Sequence, residues 1–117
     1  MPGGTNHSEF DGLIKNIHDA GQAWVDAEFR ARQLEEDQKP YLASLINALD
    51  DGDTSEAKLE RKARGSKEYR NYITGMVTAR AEALRLKVKY EAWQSTFEAR
   101  RTESANQRVI NKLAPGY

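Results

Sequence analysis

Alternating strides of three and four residues from Tyr69 meet Tyr69, Tyr72, Met76, Ala79, Ala83, Leu86, Tyr90, Trp93 and Phe97. An apolar repeat of 3.5 residues held over four heptads is the mark of a long helix zipped to a partner helix. Past Phe97 the same strides land on Arg100, Ser104 and Gln107, so the seam turns polar and ends. The surrounding stretch, Ser66 to Lys112, has no proline and a single glycine, Gly75. As one helix of some 45 residues it would run roughly 65–70 Å at about 1.5 Å per residue.

A second seam precedes it. Phe10, Leu13, Ile17, Ala20, Trp24, Ala27, Ala31, Leu34, Gln38, Tyr41, Leu45 and Ala48 follow the same strides. Ser8 is a competent cap for this helix, with Glu9 and Asp11 suited to the positive end of its dipole. Asp26–Arg30, Glu28–Arg32 and Glu35–Lys39 stand at i,i+4 in the favourable acid-first order. Pro40 removes one hydrogen bond, yet the apolar phase runs unbroken through it to Tyr41 and Leu45, which predicts a kinked helix in preference to a loop.

Between the seams, Asp50-Asp51-Gly52-Asp53-Thr54 reads as a turn. Asp53, with Glu56 three residues on, has capping-box spacing for a short helix over about 54–64. That helix carries Lys58, Arg61, Lys62 and Arg64 and few apolar residues, so it is expected as a lid on the end of the hairpin and not as core. Gly65 stops it and Ser66 caps the next helix. The expected fold is all-α: an antiparallel coiled-coil hairpin of two long helices with a short third helix at the tip. One domain spans 8–113, between a tail at 1–7 and a frayed end at 114–117. With Leu49 opposite Tyr69, the expected register sets Trp24 beside Trp93, Tyr41 near Val77, Gly21 near Phe97 and Ala43 beside Gly75. Ile14, Val25, Ile46, Ile73, Val77 and Leu84 lie one position off the seams, and Val88 lies two. Two helices alone would leave much of that apolar surface bare, which predicts a homo-oligomer such as a four-helix bundle of two hairpins.

Net charge is zero, but it is divided unevenly. Residues 1–57 hold twelve acids against four bases and residues 58–117 hold fourteen bases against six acids. The cancellation fits an acidic helix folded on a basic one, with flanking charges complementary across the seam. A basic half can also bind nucleic acid. The candidate contacts are Arg61, Lys62, Arg64, Lys67 and Arg70, then Arg100 and Arg101 beside the rings of Tyr90, Trp93 and Phe97. Because those rings occupy seam positions, they are expected in the core with Trp24, Tyr41, Leu45, Tyr69, Met76 and Leu86, and any nucleic-acid binding is expected to be weak.

Little here suggests an enzyme. Cysteine is absent, which removes disulfides and thiolate chemistry and suits a reducing cytoplasm. His7 and His18 are the only histidines, and no metal-ligand spacing or phosphate-cradling glycine loop accompanies them. The aspartates at 50–53 do not match a calcium loop, which needs alternating ligands and a terminal glutamate; from Asp51 the twelfth position is Lys62. No catalytic residue, cofactor or metal is expected. No apolar run approaches a membrane span, and the first residues lack the basic and apolar regions of a signal peptide.

Ser55-Glu56-Ala57, the run from Ser66 through Tyr69-Arg70 to Tyr72, Lys87-Val88-Lys89-Tyr90-Glu91-Ala92-Trp93 and Phe97-Glu98-Ala99-Arg100-Arg101 resemble small helical proteins encoded by bacteriophages and prophages. The likeness covers about half the chain, from Asp51 to Arg108. Genes of that family often lie among those for phage recombination and single-strand annealing. The resemblance implies a non-enzymatic accessory protein of phage DNA recombination or replication, in the host bacterial cytoplasm, that binds another protein. The alternatives are an anti-defence inhibitor of the anti-CRISPR kind, docked on a host nuclease complex, and a single-strand DNA-binding accessory protein. The resemblance brings no site residues with it.

Overall fold

A computed structural model describes the backbone of residues 2–113 and the side chains of 9–113. The described residues form four helices and no strand: α1 (Pro2–Glu36), α2 (Gln38–Leu49), α3 (Glu56–Arg64) and α4 (Lys67–Leu113). The fold is all-α, an antiparallel helical hairpin whose long arms are α1 and α4. It divides into two compact units, one made of the chain up to Trp24 with that from Arg85 on, the other of Val25–Leu84. Ser8 lies inside α1 and does not cap it. Side chains up to Ser8 lie outside the described residues, and so does the end at 114–117.

In the first unit, α1 and α4 run antiparallel: Phe10 meets Phe97 edge-on at 5.8 Å and Trp24 meets Tyr90 at 5.5 Å. Leu13 and Ala20 are its buried seam residues. Gly21 lies where a Cβ would come within 3.2 Å of the Tyr90 ring. The absent side chain makes room for an aromatic ring, as expected, but the ring is Tyr90 and not Phe97. Trp24 likewise packs on Tyr90 where Trp93 was expected.

The second unit holds two core clusters. Ala31, Ala79 and Ala83 are buried together, with Ala27 and Leu34 against them. Small side chains at a seam let two helix backbones approach closely, and here they come from both arms. The other cluster is Leu42, Ala63 and Tyr69, flanked by Tyr41, Leu45, Ile46, Leu49 and Ile73. Leu59 and Ala63 of α3 are 4% and 0% exposed. α3 is therefore a core element, correcting the expected lid. Burying a leucine side chain is worth about 1.5–3 kcal/mol, and α3 obtains it by packing on α2. The same packing takes up Ile46 and Ile73, two of the off-seam residues left bare in a plain two-helix reading.

α3 also explains the register. The end of α2 packs on α3, so the tip does not close with Leu49 opposite Tyr69. Tyr41 stacks on Tyr72 at 4.4 Å and 14°, not near Val77. The arms have slid by one to two turns from the expected alignment, a shift that still leaves seam residues on seam residues. Gly75 has nothing within 4 Å of an added Cβ, so the expected close approach to Ala43 is absent.

The break before Pro40 is local. Asp37 keeps helical dihedrals and donates its N–H to the Gln33 carbonyl at 3.0 Å, and Tyr41 N–H reaches the Asp37 carbonyl at 2.9 Å. Helical bonding thus resumes on both sides of the proline, as the continuous apolar phase predicts. Tyrosines of α4 brace this point. Tyr72 donates its hydroxyl to the Leu34 carbonyl, in the last turn of α1. Gln38 Nε2 donates to the Tyr69 hydroxyl at 3.0 Å.

In the tip turn, Asp51 Oδ1 accepts the N–H groups of Asp53 and Thr54, each at 2.9 Å. Gly52 has φ +85°, a left-handed conformation that glycine adopts without cost. The cap of α3 is Ser55, whose hydroxyl accepts Lys58 N–H at 3.3 Å; Asp53 is spent in the turn. Ser66 Oγ accepts Tyr69 N–H at 3.2 Å, capping α4 as expected.

The register has a consequence for the glycines. Gly75→Ala should stabilise the protein by about 0.5–1 kcal/mol, the ordinary gain in a helix interior. Gly21→Ala should gain less, because Tyr90 must yield. Chemical denaturation checks both, and equal gains would contradict the seating of Tyr90 on Gly21.

Candidate interaction surface

The residues named for the seam are buried or half-buried. Tyr69 is buried, and Trp24, Tyr41, Leu45, Met76, Leu86, Tyr90, Trp93 and Phe97 are partly buried. Tyr90 and Phe97 spend a face or an edge on Trp24 and Phe10. The indole N–H of Trp24 is buried with no acceptor, while Lys87 Nζ sits 5.9 Å from the centre of its ring. Burial pushes the Tyr72 hydroxyl above its usual pKa.

All seven candidate phosphate-binding bases are exposed. Arg61, Lys62 and Arg64 come from α3 and Lys67 and Arg70 from the first turn of α4, in the second unit. Arg64 is held by Glu60 at 2.9 Å. In the first unit, Arg100 pairs with Glu9 across the hairpin, and Arg101 stands 4.0 Å from Glu98. The structure thus does not join Arg100 and Arg101 to the faces of the upstream rings. At the tip, the backbone N–H of Asp53 and the Thr54 hydroxyl hold Asp51 below the usual carboxylate pKa.

An ion cluster that sequence reasoning missed stands between the arms of the second unit. Arg80 of α4 donates to Glu28 at 2.7 Å and to both carboxylate oxygens of Glu35 at 2.9 and 2.6 Å. Glu28 also takes Arg32 at 2.9 Å, the expected i,i+4 pair, whereas Glu35 reaches across to Arg80 where Lys39 was expected. The available signal was the heptad: Glu28 and Glu35 are seven apart, and Arg80 follows seam residue Ala79. The hydrogen bonds from Arg80 hold both carboxyls below their ordinary value of 4.5, and both carboxylates raise Arg80 in turn.

Apolar side chains rim this cluster. Val77 and Leu84 lie three before and four after Arg80, on its face of α4, and Val25 lies three before Glu28 on α1. Val25, Val77 and Leu84 are more than half exposed, and Phe29, one turn beyond Val25, is 70% exposed. A charged centre ringed by bare aliphatic and aromatic groups has the anatomy of a protein-binding patch.

Among the described residues no group of His, Asp or Glu is arranged to hold a metal ion, and no helix is long and apolar enough to cross a membrane. No family model, curated protein or solved structure matches this chain.

The Arg80 cluster makes stability pH-dependent. Carboxyls with lowered folded pKa values contribute stability that is full above their ordinary value of 4.5 and lost as pH falls through the lowered values. Arg80→Gln should lower the thermal midpoint at neutral pH and flatten its fall as pH drops below about 4.5. An unchanged slope would show that these pairs do not couple to folding.

Proposed function

We propose that this chain is a non-enzymatic accessory protein that works by binding another protein, through the face of the second unit centred on Arg80. The observation that carries the reading is the set of bare apolar groups, Val25, Phe29, Val77 and Leu84, around a fixed ion cluster. Exposed apolar area supplies affinity, and the rigid charges set orientation and exclude wrong partners. The partial burial of Tyr90, Trp93 and Phe97 in the seam favours protein binding over base stacking. The proposed setting, phage DNA recombination or replication in a bacterial cytoplasm, rests on the resemblance of residues 51–108 to phage-encoded helical proteins.

The test is binding to a phage single-strand annealing protein by biolayer interferometry, with the wild-type chain and the double variant V25E/L84E. Both positions are exposed, so circular dichroism should show unchanged helicity. The expected outcome is saturable binding that weakens at least about tenfold in the variant, since a buried unpaired carboxylate is costly. No binding, or binding indifferent to the two changes, contradicts the proposal.

A further inference from the structure

The joint between α3 and α4 gathers positive charge left over from the packing. Residues 56–70 hold six bases, Lys58, Arg61, Lys62, Arg64, Lys67 and Arg70, against three acids, Glu56, Glu60 and Glu68. Glu56, Glu60 and Arg64 follow at spacings of four along one flank of α3, and Glu60 takes Arg64 at 2.9 Å. Arg61, Lys62, Lys67 and Arg70 are exposed and make no ion pair among the described residues.

The core fixes where these four project. Ala63 and Tyr69 share one buried cluster with Leu42 of α2, so α3 and α4 turn their inner sides to the same place. Arg61 precedes Ala63 by two residues, and Lys67 precedes Tyr69 by two. Two residues turn a helix by about 200°, which sets both bases on the outer side. Lys62 and Arg70 are each one residue, about 100°, from an inner residue, and they stand on the two flanks. Only Gly65 and Ser66 separate the helices, so the four unpaired bases wrap the outside of one joint. The Asn71 amide lies one turn beyond Lys67.

The surroundings select the partner. Between residues 54 and 76 no large apolar side chain is exposed. A protein interface needs an apolar, desolvated centre, and a helix on a membrane surface needs apolar groups to insert. A phosphodiester backbone needs only cations and hydrogen-bond donors. Asp50, Asp51 and Asp53 carry the opposing charge, but they precede the first turn of α3, whereas Arg61 and Lys62 lie in its last. The nine residues of α3 rise about 13 Å, more than the screening length of about 8 Å at physiological ionic strength. Asp51 is also committed to the tip turn.

We propose that the joint between α3 and α4 binds the phosphate backbone of nucleic acid through Arg61, Lys62, Lys67 and Arg70, without reading bases. No ring is exposed there to stack on a base, so binding is indifferent to sequence. The patch shares no residue with the face around Arg80, and either proposal can fail alone.

Fluorescence anisotropy of a labelled single strand of about 20 nucleotides, and of its duplex, tests this. Both should bind saturably at about 20 mM salt. With four phosphates neutralised, affinity should fall with log salt at slopes of about −2.8 for the single strand and about −3.6 for the duplex. For the single strand that is roughly 600-fold over a tenfold rise in salt. R61Q/K62Q/K67Q/R70Q should cost at least about a hundredfold in low-salt affinity, with helicity by circular dichroism unchanged. K39Q/K89Q/R108Q/K112Q removes the same net charge from other exposed positions and should change affinity less than about threefold. Glu68→Gln, which removes an acid beside Lys67, should tighten binding. Absence of saturable low-salt binding to either nucleic acid overturns the proposal, as does equal loss in the two quadruple variants. Tighter binding of polyglutamate of matched length assigns the patch to an acidic protein and overturns it too.

Discussion

Seam positions filled by alanine set the terms for the second unit. Ala31, Ala79 and Ala83 are almost wholly buried, yet an alanine offers little apolar area, so this contact gains less from hydrophobic transfer than a leucine layer would. It gains proximity instead. With the arms close, Arg80 can bridge to Glu28 and Glu35 from one side chain, and the Tyr72 hydroxyl can reach the Leu34 carbonyl. Larger aromatic groups, Tyr41, Tyr69 and Tyr72, fill the space where α1 gives way to α2, and the apolar area missing from the alanine layer is recovered on α3 through Leu59 and Ala63.

The repeat makes the helices and their buried stripe legible in the sequence. From Phe10 to Leu45 and from Tyr69 to Phe97, every seam residue is buried or partly buried, and only Ala48 falls out. The register was not legible, because sliding a periodic seam leaves seam residues facing seam residues. It is decided by particulars: the gap at Gly21 that admits Tyr90, and the demand of α3 for the end of α2. The composition of α3 misled for a related reason. Six of its nine residues are charged, but the pair that matters, Leu59 and Ala63, lies four apart on one face, and two such residues suffice for a short helix to join a core.

The functional surface was legible only in outline. The off-seam residues Val25, Val77, Leu84 and Val88 were visible in the sequence as surplus apolar groups, and they are exposed. Their neighbours could not be read from it. The Arg80 cluster depends on contacts 45 and 52 residues apart, and local i,i+4 reasoning assigned Glu35 to Lys39.

The register of the arms is the claim on which these readings converge, and proton–proton contacts test it directly. In a nuclear Overhauser spectrum of the isotope-labelled protein, Gly21 Hα should show contacts to the Tyr90 ring, and Tyr41 ring protons to those of Tyr72. Gly21 contacts to the Phe97 ring, with Tyr41 contacts to the Val77 methyls, would contradict this register.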